Sequence, residues 1–250
     1  MAVGTLTVLR VPPPRRVDPQ VAGRAMLLAP LAVLPLGAAV TGLLLVTAET
    51  GVPPLARGLL AVALLALGTR ALHWDGLSDV ADGLTASYDP QRSLAVMRTG
   101  TSGPAGTLAV VLVAGLQAAG LAALSGSPAG CVLAGACVLG SRVSLATCCA
   151  RPVPPARPEG LGATVAGTVP VPAATLTWLV LAVALTGLLT ALPTSPTQQA
   201  AWHAAAAVVV AAGLTLLLVR RCTSRLGGVT GDVLGAGVET SLAVLLLAPA

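Results

Sequence analysis

The sequence predicts an all-α, polytopic integral membrane helix bundle of about seven transmembrane helices with its N-terminus in the cytoplasm, and three observations carry that expectation. Apolar residues make up 55% of the chain and charged residues only 9%, with a mean hydropathy of +0.89. That is more apolar surface than one soluble core of this length could bury. Apolar runs also recur to the last residue, whereas a cleavable signal peptide would leave one short run behind a basic start. Finally, the arginines fall in short segments between those runs, and mostly in alternate ones.

A bilayer-crossing helix needs roughly 20 mainly apolar residues. Seven stretches qualify: about 25–48, 55–73, 105–125, 129–150, 173–193, 199–219 and 234–249, the last being short. Pieces rich in Pro, Gly or charge separate them, such as "TGTSGPAGT", "RPVPPARPEGLG" and "LPTSPTQQ", and read as turns and loops. A cytoplasmic N-terminus puts Arg10, Arg15, Arg16 and Arg24 inside, then Arg92 and Arg98, then Arg151 and Arg157, then Arg220, Arg221 and Arg225. Arg57 alone is left outside, as the positive-inside rule expects. Arg70 and Arg142 fall near inner span ends, where a long side chain reaches the interface. Trp74, Trp178 and Trp202 also fall near span ends, where interfacial indoles collect.

The net charge of +5 comes from 14 basic residues, all arginine. They are scattered along the chain rather than gathered into a patch, which argues against a nucleic-acid partner. The five cysteines are odd in number, lack a C-x-x-C spacing and lie mostly in apolar runs. Buried thiols are expected, not disulfides or a zinc site.

Charge is concentrated in "ALHWDGLSDVADGLTAS" at 71–87, just after the second apolar run. Asp75, Asp79 and Asp82 are spaced i, i+4, i+7, which on a helix sets three carboxylates on one face. Like charges so placed repel, and burial beside the membrane raises the cost. A divalent cation reverses the sign of that interaction. Hard oxygen ligands suit magnesium or manganese, and magnesium binds through a few carboxylates together with substrate phosphates. Gly76 and Gly83 would let a bulky phosphorylated ligand approach the backbone. A solvated acidic helix face is the plain alternative. It is weakened because three of the nine acids of the chain sit within eight residues at the membrane edge. His73 lies off the aspartate face and reads either as a proton carrier or as an interfacial polar residue. Asp89, followed by Pro90, reads as the start of a turn.

"RLGGVTGDVLGAGVE" precedes the final run, and its Asp232 and Glu239 are seven residues apart. The segment could cradle phosphate or complete a metal shell. It could also be a loop feeding a Gly-rich packing helix. The expected topology returns it to the same side of the membrane as the first cluster. Arg157, in "RPVPPARPEGLG", could grip a phosphate or simply anchor the cytoplasmic side.

With "HWDGLSDVADGL" at 73–84, "PPARPEGLG" at 154–162 and "GGVTGDVLGAGVE" at 227–239 in this order, the chain resembles the cobalamin synthase family of adenosylcobinamide-GDP ribazoletransferases over nearly its whole length. The resemblance implies one integral membrane transferase domain over 1–250, multi-pass in the cell inner membrane with its active site facing the cytoplasm. It implies a magnesium-dependent enzyme, of the class that transfers substituted phosphate groups, joining adenosylcobinamide-GDP to alpha-ribazole or its 5'-phosphate with release of GMP. His73, Asp75, Asp79 and Asp82 match the acidic motif and Asp232 matches the late Gly-Asp element, as catalytic residues, with Asp75, Asp79 and Asp82 as metal ligands. Arg98, Arg157, Gly231 and Glu239 are expected to bind substrate. The chain departs from relatives at 99–101, where they usually carry an acid, and at Leu242, where they often carry a second glutamate. Two other readings stay open at this point: a CDP-alcohol phosphotransferase-like enzyme, whose Ala-Arg pair "DGLSDVADG" lacks, and a cation transporter, whose acids would belong near mid-bilayer. The bilayer is an expected partner, and homo-oligomerisation is left open.

Overall fold

The computed structural model describes residues 1–14, 16–191 and 198–247, and all the regular structure among them is helical. The expectations for Arg15, for the loop at 192–197 and for the end of the last run fall outside the described residues. Short α1 (Ala2–Leu6) and α2 (Pro19–Leu27) lead into α3 (Ala29–Ala32) and α4 (Leu34–Glu49). Next come α5 (Pro54–Gly68), α6 (Leu72–Ala86), α7 (Pro90–Val96), α8 (Pro104–Leu124), α9 (Pro128–Ser141) and α10 (Ser144–Cys148). The chain continues through α11 (Leu161–Val165), α12 (Val171–Ala191), α13 (Gln198–Leu226) and α14 (Gly231–Leu247).

Prolines set the starts. Pro19, Pro54, Pro90, Pro104 and Pro128 each open a helix, where the missing N–H costs nothing and the fixed φ favours the first turn. Asp18, Asp89 and Ser127 cap three of these helices by accepting from the N–H of Val21, Gln91 and Gly130 at 2.9, 2.9 and 3.1 Å. Asp89, expected to start a turn, instead caps a helix that Pro90 opens. Prolines inside an apolar run have the opposite effect. Pro30 and Pro35 break the first expected span into α2, α3 and α4, because neither can donate to the carbonyl four residues back.

Four described helical segments are long and apolar enough to cross a bilayer: Pro104–Leu124, Pro128–Cys148, Val171–Ala191 and Trp202–Leu226. A fifth candidate is the pair α5 and α6, which is bent by 93° at its break. The outward faces of these segments are apolar, with Leu112, Leu179, Val183 and Leu217 exposed, as a lipid-facing surface requires. α13, with 29 residues, is about 44 Å long, beyond the ~30 Å hydrocarbon core, so it carries Arg220, Arg221 and Arg225 past its apolar stretch. α14, with 17 residues, is the central helix, packed on α6, α8, α9, α10 and α13 and buried over most of its length. All five cysteines are buried and free, as their apolar setting predicted.

Two sequence expectations are corrected here. Arg142 does not reach the interface: it is 1% exposed and folds back to donate to the Val138 carbonyl and the Ser141 hydroxyl at 2.9 and 2.8 Å. The last carbonyls of α9 provide closer acceptors than the headgroup region does. Trp74 and Trp178 are buried, and the Trp178 indole N–H donates to Thr147 Oγ1 at 2.8 Å. Only Trp202 is exposed, as an interfacial indole would be.

The corner between α5 and α6 is strained. Arg70 and Ala71 both have positive φ, 57° and 54°, where a Cβ crowds the following carbonyl. This turn aims the acidic helix away from the axis of α5. Ala71→Gly should raise the apparent melting temperature of the detergent-solubilised protein by a few degrees, for about 1 kcal/mol of relieved strain. Ala71→Val should lower it, and equal effects of both variants would show that the corner carries no strain.

Candidate active site

The three aspartates of α6 lie on one face, but burial is graded along it. Asp75 is exposed, Asp79 half-buried and Asp82 only 8% exposed. Asp82 is already engaged: its Oδ2 accepts from the Gly103 N–H at 2.6 Å and its Oδ1 from the Gly106 N–H at 2.8 Å. It therefore caps the N-terminus of α8 from another helix, where a negative charge also suits the helix dipole. A Cβ at Gly103 or Gly106 would collide with this carboxylate, so the "SGPAG" sequence is the socket for Asp82.

Asp232 arrives at the same place through glycine contacts. A Cβ on Gly76 would lie 2.9 Å from Asp232 Cα, and one on Gly235 would lie 2.9 Å from His73 Cα. α6 and α14 thus touch backbone to backbone, as small residues allow membrane helices to do. The packing role expected of the Gly-rich segment is met, and that packing is what brings Asp232 beside the first cluster. Burial, then the carboxylates of Asp75, Asp232 and Asp82, push the pKa of Asp79 up to about 6, with Arg157 opposing. Burial also raises Asp232, against a 2.9 Å hydrogen bond from the Thr230 hydroxyl and the charge of Arg157.

Backbone stitching delivers Arg157. The Val229 N–H donates to the Pro154 carbonyl at 2.9 Å and the Ala156 N–H to the Val229 carbonyl at 3.0 Å. A Cβ on Gly162 would strike the Val229 carbonyl and Thr230, and one on Gly228 would strike the backbone at Pro155. "PPARPEGLG" and "GGVTGD" are thereby one structural unit. Arg157 donates to the Leu94 carbonyl at 2.8 Å and lies in electrostatic range of Asp232, Asp79 and Arg98. Burial lowers its pKa, offset by Asp232, while the neighbouring charge of exposed Arg98 lowers it further.

Two clefts flank the carboxylates. One, of about 270 Å³, lies between the 157–163 loop and the start of α14 and is lined by Arg157, Glu159, Gly231 and Asp232. The other, of about 370 Å³, lies between α6, the 100–102 loop and α8, and includes Asp75 and Asp79. Among the described residues, no group of three His, Cys, Asp or Glu side chains is placed to hold a metal ion. The carboxylates lining the clefts, Asp75, Asp79 and Asp232, suit a cation of the magnesium type, which takes few protein ligands and keeps substrate phosphates and water as the others.

His73 and Glu239 line neither of these clefts. His73 is 3% exposed, with Nδ1 3.4 Å from Glu239 Oε1. Glu239 Oε2 accepts from Gln117 Nε2 at 2.7 Å, and the same nitrogen bonds the Glu239 carbonyl at 3.0 Å. This polar group lies among α6, α14 and α8, on the side of α6 away from the aspartates. Leu242, at the position of the second familial glutamate, is also buried. Sequence reasoning missed Gln117, whose signal was a lone amide inside an apolar run. It also missed Ser78, which shares the aspartate face and whose hydroxyl meets that of Ser102 at 2.6 Å.

The raised pKa of Asp79 has a definite sign. Its folded state holds a proton more tightly than the unfolded chain, so its contribution is fully present below 3.8 and is lost as pH rises through about 6. In chelator-treated protein the apparent melting temperature should therefore fall across that window, and Asp79→Asn should flatten the decline. An unchanged slope in the variant would remove Asp79 as its source.

The family model described as cobalamin-5-phosphate synthase matches residues 1–250. A relative from Nocardioides sp. (strain ATCC BAA-499 / JS614), named adenosylcobinamide-GDP ribazoletransferase, is 56% identical over 247 residues, covering 99% of this chain and 95% of its own. One of the same name from Frankia casuarinae is 40% identical over 252 residues, covering 97% of this chain and 90% of its own. No solved structure matches the chain. With a family match over its full length and relatives this similar end to end, the chain belongs to the cobalamin-5-phosphate synthase family, membrane transferases of cobalamin biosynthesis.

Proposed function

We propose that the chain joins adenosylcobinamide-GDP to alpha-ribazole or its 5'-phosphate and releases GMP, with magnesium held by the Asp75–Asp79 pair together with substrate phosphate and water, and with the charge of Asp232 close by. The observation that carries this reading is the meeting of α6 and α14 at Gly76, which sets Asp232 against the acidic face of α6 beside Arg157. A hydroxyl oxygen of the ribazole attacks the phosphorus on the corrinoid side of the diphosphate. The phosphoanhydride bond to GMP breaks, and the hydroxyl proton passes to a cleft carboxylate, since His73 lines neither cleft. Magnesium, when bound, neutralises charge on the diphosphate oxygens. Arg157 grips those oxygens with the donors its Leu94 bond leaves over, and exposed Arg98 adds charge nearby. Asp82, occupied by Gly103 and Gly106, holds the wall of the site instead of the metal.

The same reading gives seven crossings and a site facing the cytoplasm. Supporting it, Arg225 at the end of α13 donates to the Ser87 carbonyl at 2.6 Å and stacks on Tyr88, so the arginine-rich ends gather where α6 ends. The full-length family match favours this chemistry over CDP-alcohol transfer and over cation transport.

The test is GMP release by membranes given adenosylcobinamide-GDP, alpha-ribazole and magnesium. Release should need both substrates, and its absence with the wild-type protein would sink the reading. Asp232→Asn should lower turnover by roughly a hundredfold, the scale of losing one charge-stabilising group. Adding Asp79→Asn should cost much less than the product of the single effects, because groups acting as one unit are not lost twice. Asp89→Asn should change little, since asparagine also caps α7. Multiplicative losses at Asp79 and Asp232 would separate the two into different sites.

A further inference from the structure

The two clefts on either side of the carboxylates differ in chemistry, and the proposed reaction has two substrates that differ in the same way. The cleft beside α14 is charged and backbone-rich: Arg157, Glu159 and Asp232 line it together with Gly160, Gly162 and Gly231. It suits the diphosphate of the donor. The cleft between α6 and α8 has no cationic lining residue, and its only charges are Asp75 and Asp79. Its remaining walls are apolar at Trp74, Val110 and Val111, and hydroxylated at Ser78, Ser102 and Thr107. A diphosphate placed wholly there would find no cationic side chain and would depend on magnesium alone for counter-charge, whereas the α14 cleft adds Arg157. A flat apolar ring carrying a sugar would meet an indole, two valines and a set of hydroxyls.

Resting on the transfer reaction proposed above, the geometry points to the α6–α8 cleft as the acceptor site, taking an aromatic nucleoside with its ring between Trp74 and Val110–Val111 and its sugar hydroxyls toward Ser78, Ser102 and the Asp75–Asp79 carboxylates. The volume, about 370 Å³, lies within the ~300–1,000 Å³ usual for small-molecule sites. The wall is also held in place before any ligand arrives. Asp82 pins the Gly103 end of the loop at 2.6 Å, and the Ser78–Ser102 hydroxyl contact at 2.6 Å pins it to α6. A wall fixed in advance lowers the ordering cost of binding. Val111 is 62% exposed beside these carboxylates, so a ring seated there would cover it. The partition also sets the direction of transfer. The acceptor comes from the α8 side, the phosphate lies on the Arg157 side, and Asp75, Asp79 and Asp232 stand between them.

The experiment uses the full chain in lipid nanodiscs, with two readouts. One is equilibrium binding of alpha-ribazole and, separately, of its 5'-phosphate, by titration calorimetry without the donor. The other is the KM of each substrate in GMP release. Val111→Trp, a substitution at an exposed position that fills the cleft, should weaken ribazole binding and raise its KM by about tenfold or more, the scale of a pocket altered by a few methylenes. The KM for adenosylcobinamide-GDP should stay within about twofold. Thr101→Trp, on the exposed loop of the opposite wall, should give the same selective loss and serves if Val111→Trp does not fold. Arg157→Gln should do the reverse, raising the KM for adenosylcobinamide-GDP while nucleoside binding persists. Unchanged ribazole binding in both tryptophan variants would overturn the assignment and leave Val110 and Val111 as lipid-facing residues. Equal rises in both KM values would overturn it as well. Wild-type protein that releases no GMP with both substrates would instead defeat the reaction proposed above, an outcome the calorimetric arm keeps distinct.

Discussion

The approach of α6 to α14 at Gly76 and Gly235 is the contact on which the remainder of the site depends. A Cβ at either position would sit within 3 Å of the facing backbone, so any other residue would push the two helices apart. Separation by even one methyl group would withdraw Asp232 from Asp75 and Asp79, and with it the loop carrying Arg157, which is bonded to Val229. In water such an approach would be driven by hydrophobic burial. Between membrane helices that drive is weak, and close packing with interhelical hydrogen bonds takes over. The chain meets this need by placing glycines where backbones cross and by putting α14 at the centre, packed against α6, α8, α9, α10 and α13.

Polar groups are distributed on the same logic. A buried charge without a partner is costly at membrane depth, and those away from the clefts have one. Asp82 accepts two backbone N–H groups, Glu239 is held by Gln117 and faces His73, and Arg142 donates to the end of α9. Arg157 and Arg225 satisfy carbonyls near Leu94 and Ser87, at the ends of α7 and α6. Against this background Asp75, Asp79 and Asp232 stand out: they repel one another, and none forms an ion pair within 4 Å among the described residues. On the proposed reading, substrate phosphate and a cation would complete that arrangement.

The acidic motif therefore divides its labour. Asp75 and Asp79 line a cleft, while Asp82, on the same helical face, reaches past the site to hold the start of α8. His73 belongs to a second layer on the far side of α6. Its contact with Glu239 links α6 to α14 above the glycine crossing, and Gln117 extends that link to α8. Preorganisation of this kind, in which buried neighbours fix the elements that carry the acids, is what charge-stabilising catalysis requires.

The sequence by itself determined the class of the molecule and pointed to several of the residues gathered at the candidate site. Composition and recurring apolar runs specify a helical membrane protein, because apolar surface on that scale can be covered only by lipid or by other helices. The i, i+4, i+7 aspartates, the Arg157 segment and Asp232 were legible because each combines charge with an apolar setting. The proline- and glycine-rich breaks between the apolar runs were legible for local reasons of φ. The tertiary structure alone decided which acids line the candidate clefts. Periodicity puts Asp82 and Asp79 on one face, yet only the position of Gly103 and Gly106 shows that Asp82 is a cap. Spacing puts Glu239 on the face of Asp232, yet Gln117, 122 residues away in sequence, claims it. Local sequence fixes helical phase and charge, whereas the partner of a buried polar group is set by long-range packing that no spacing along one helix encodes.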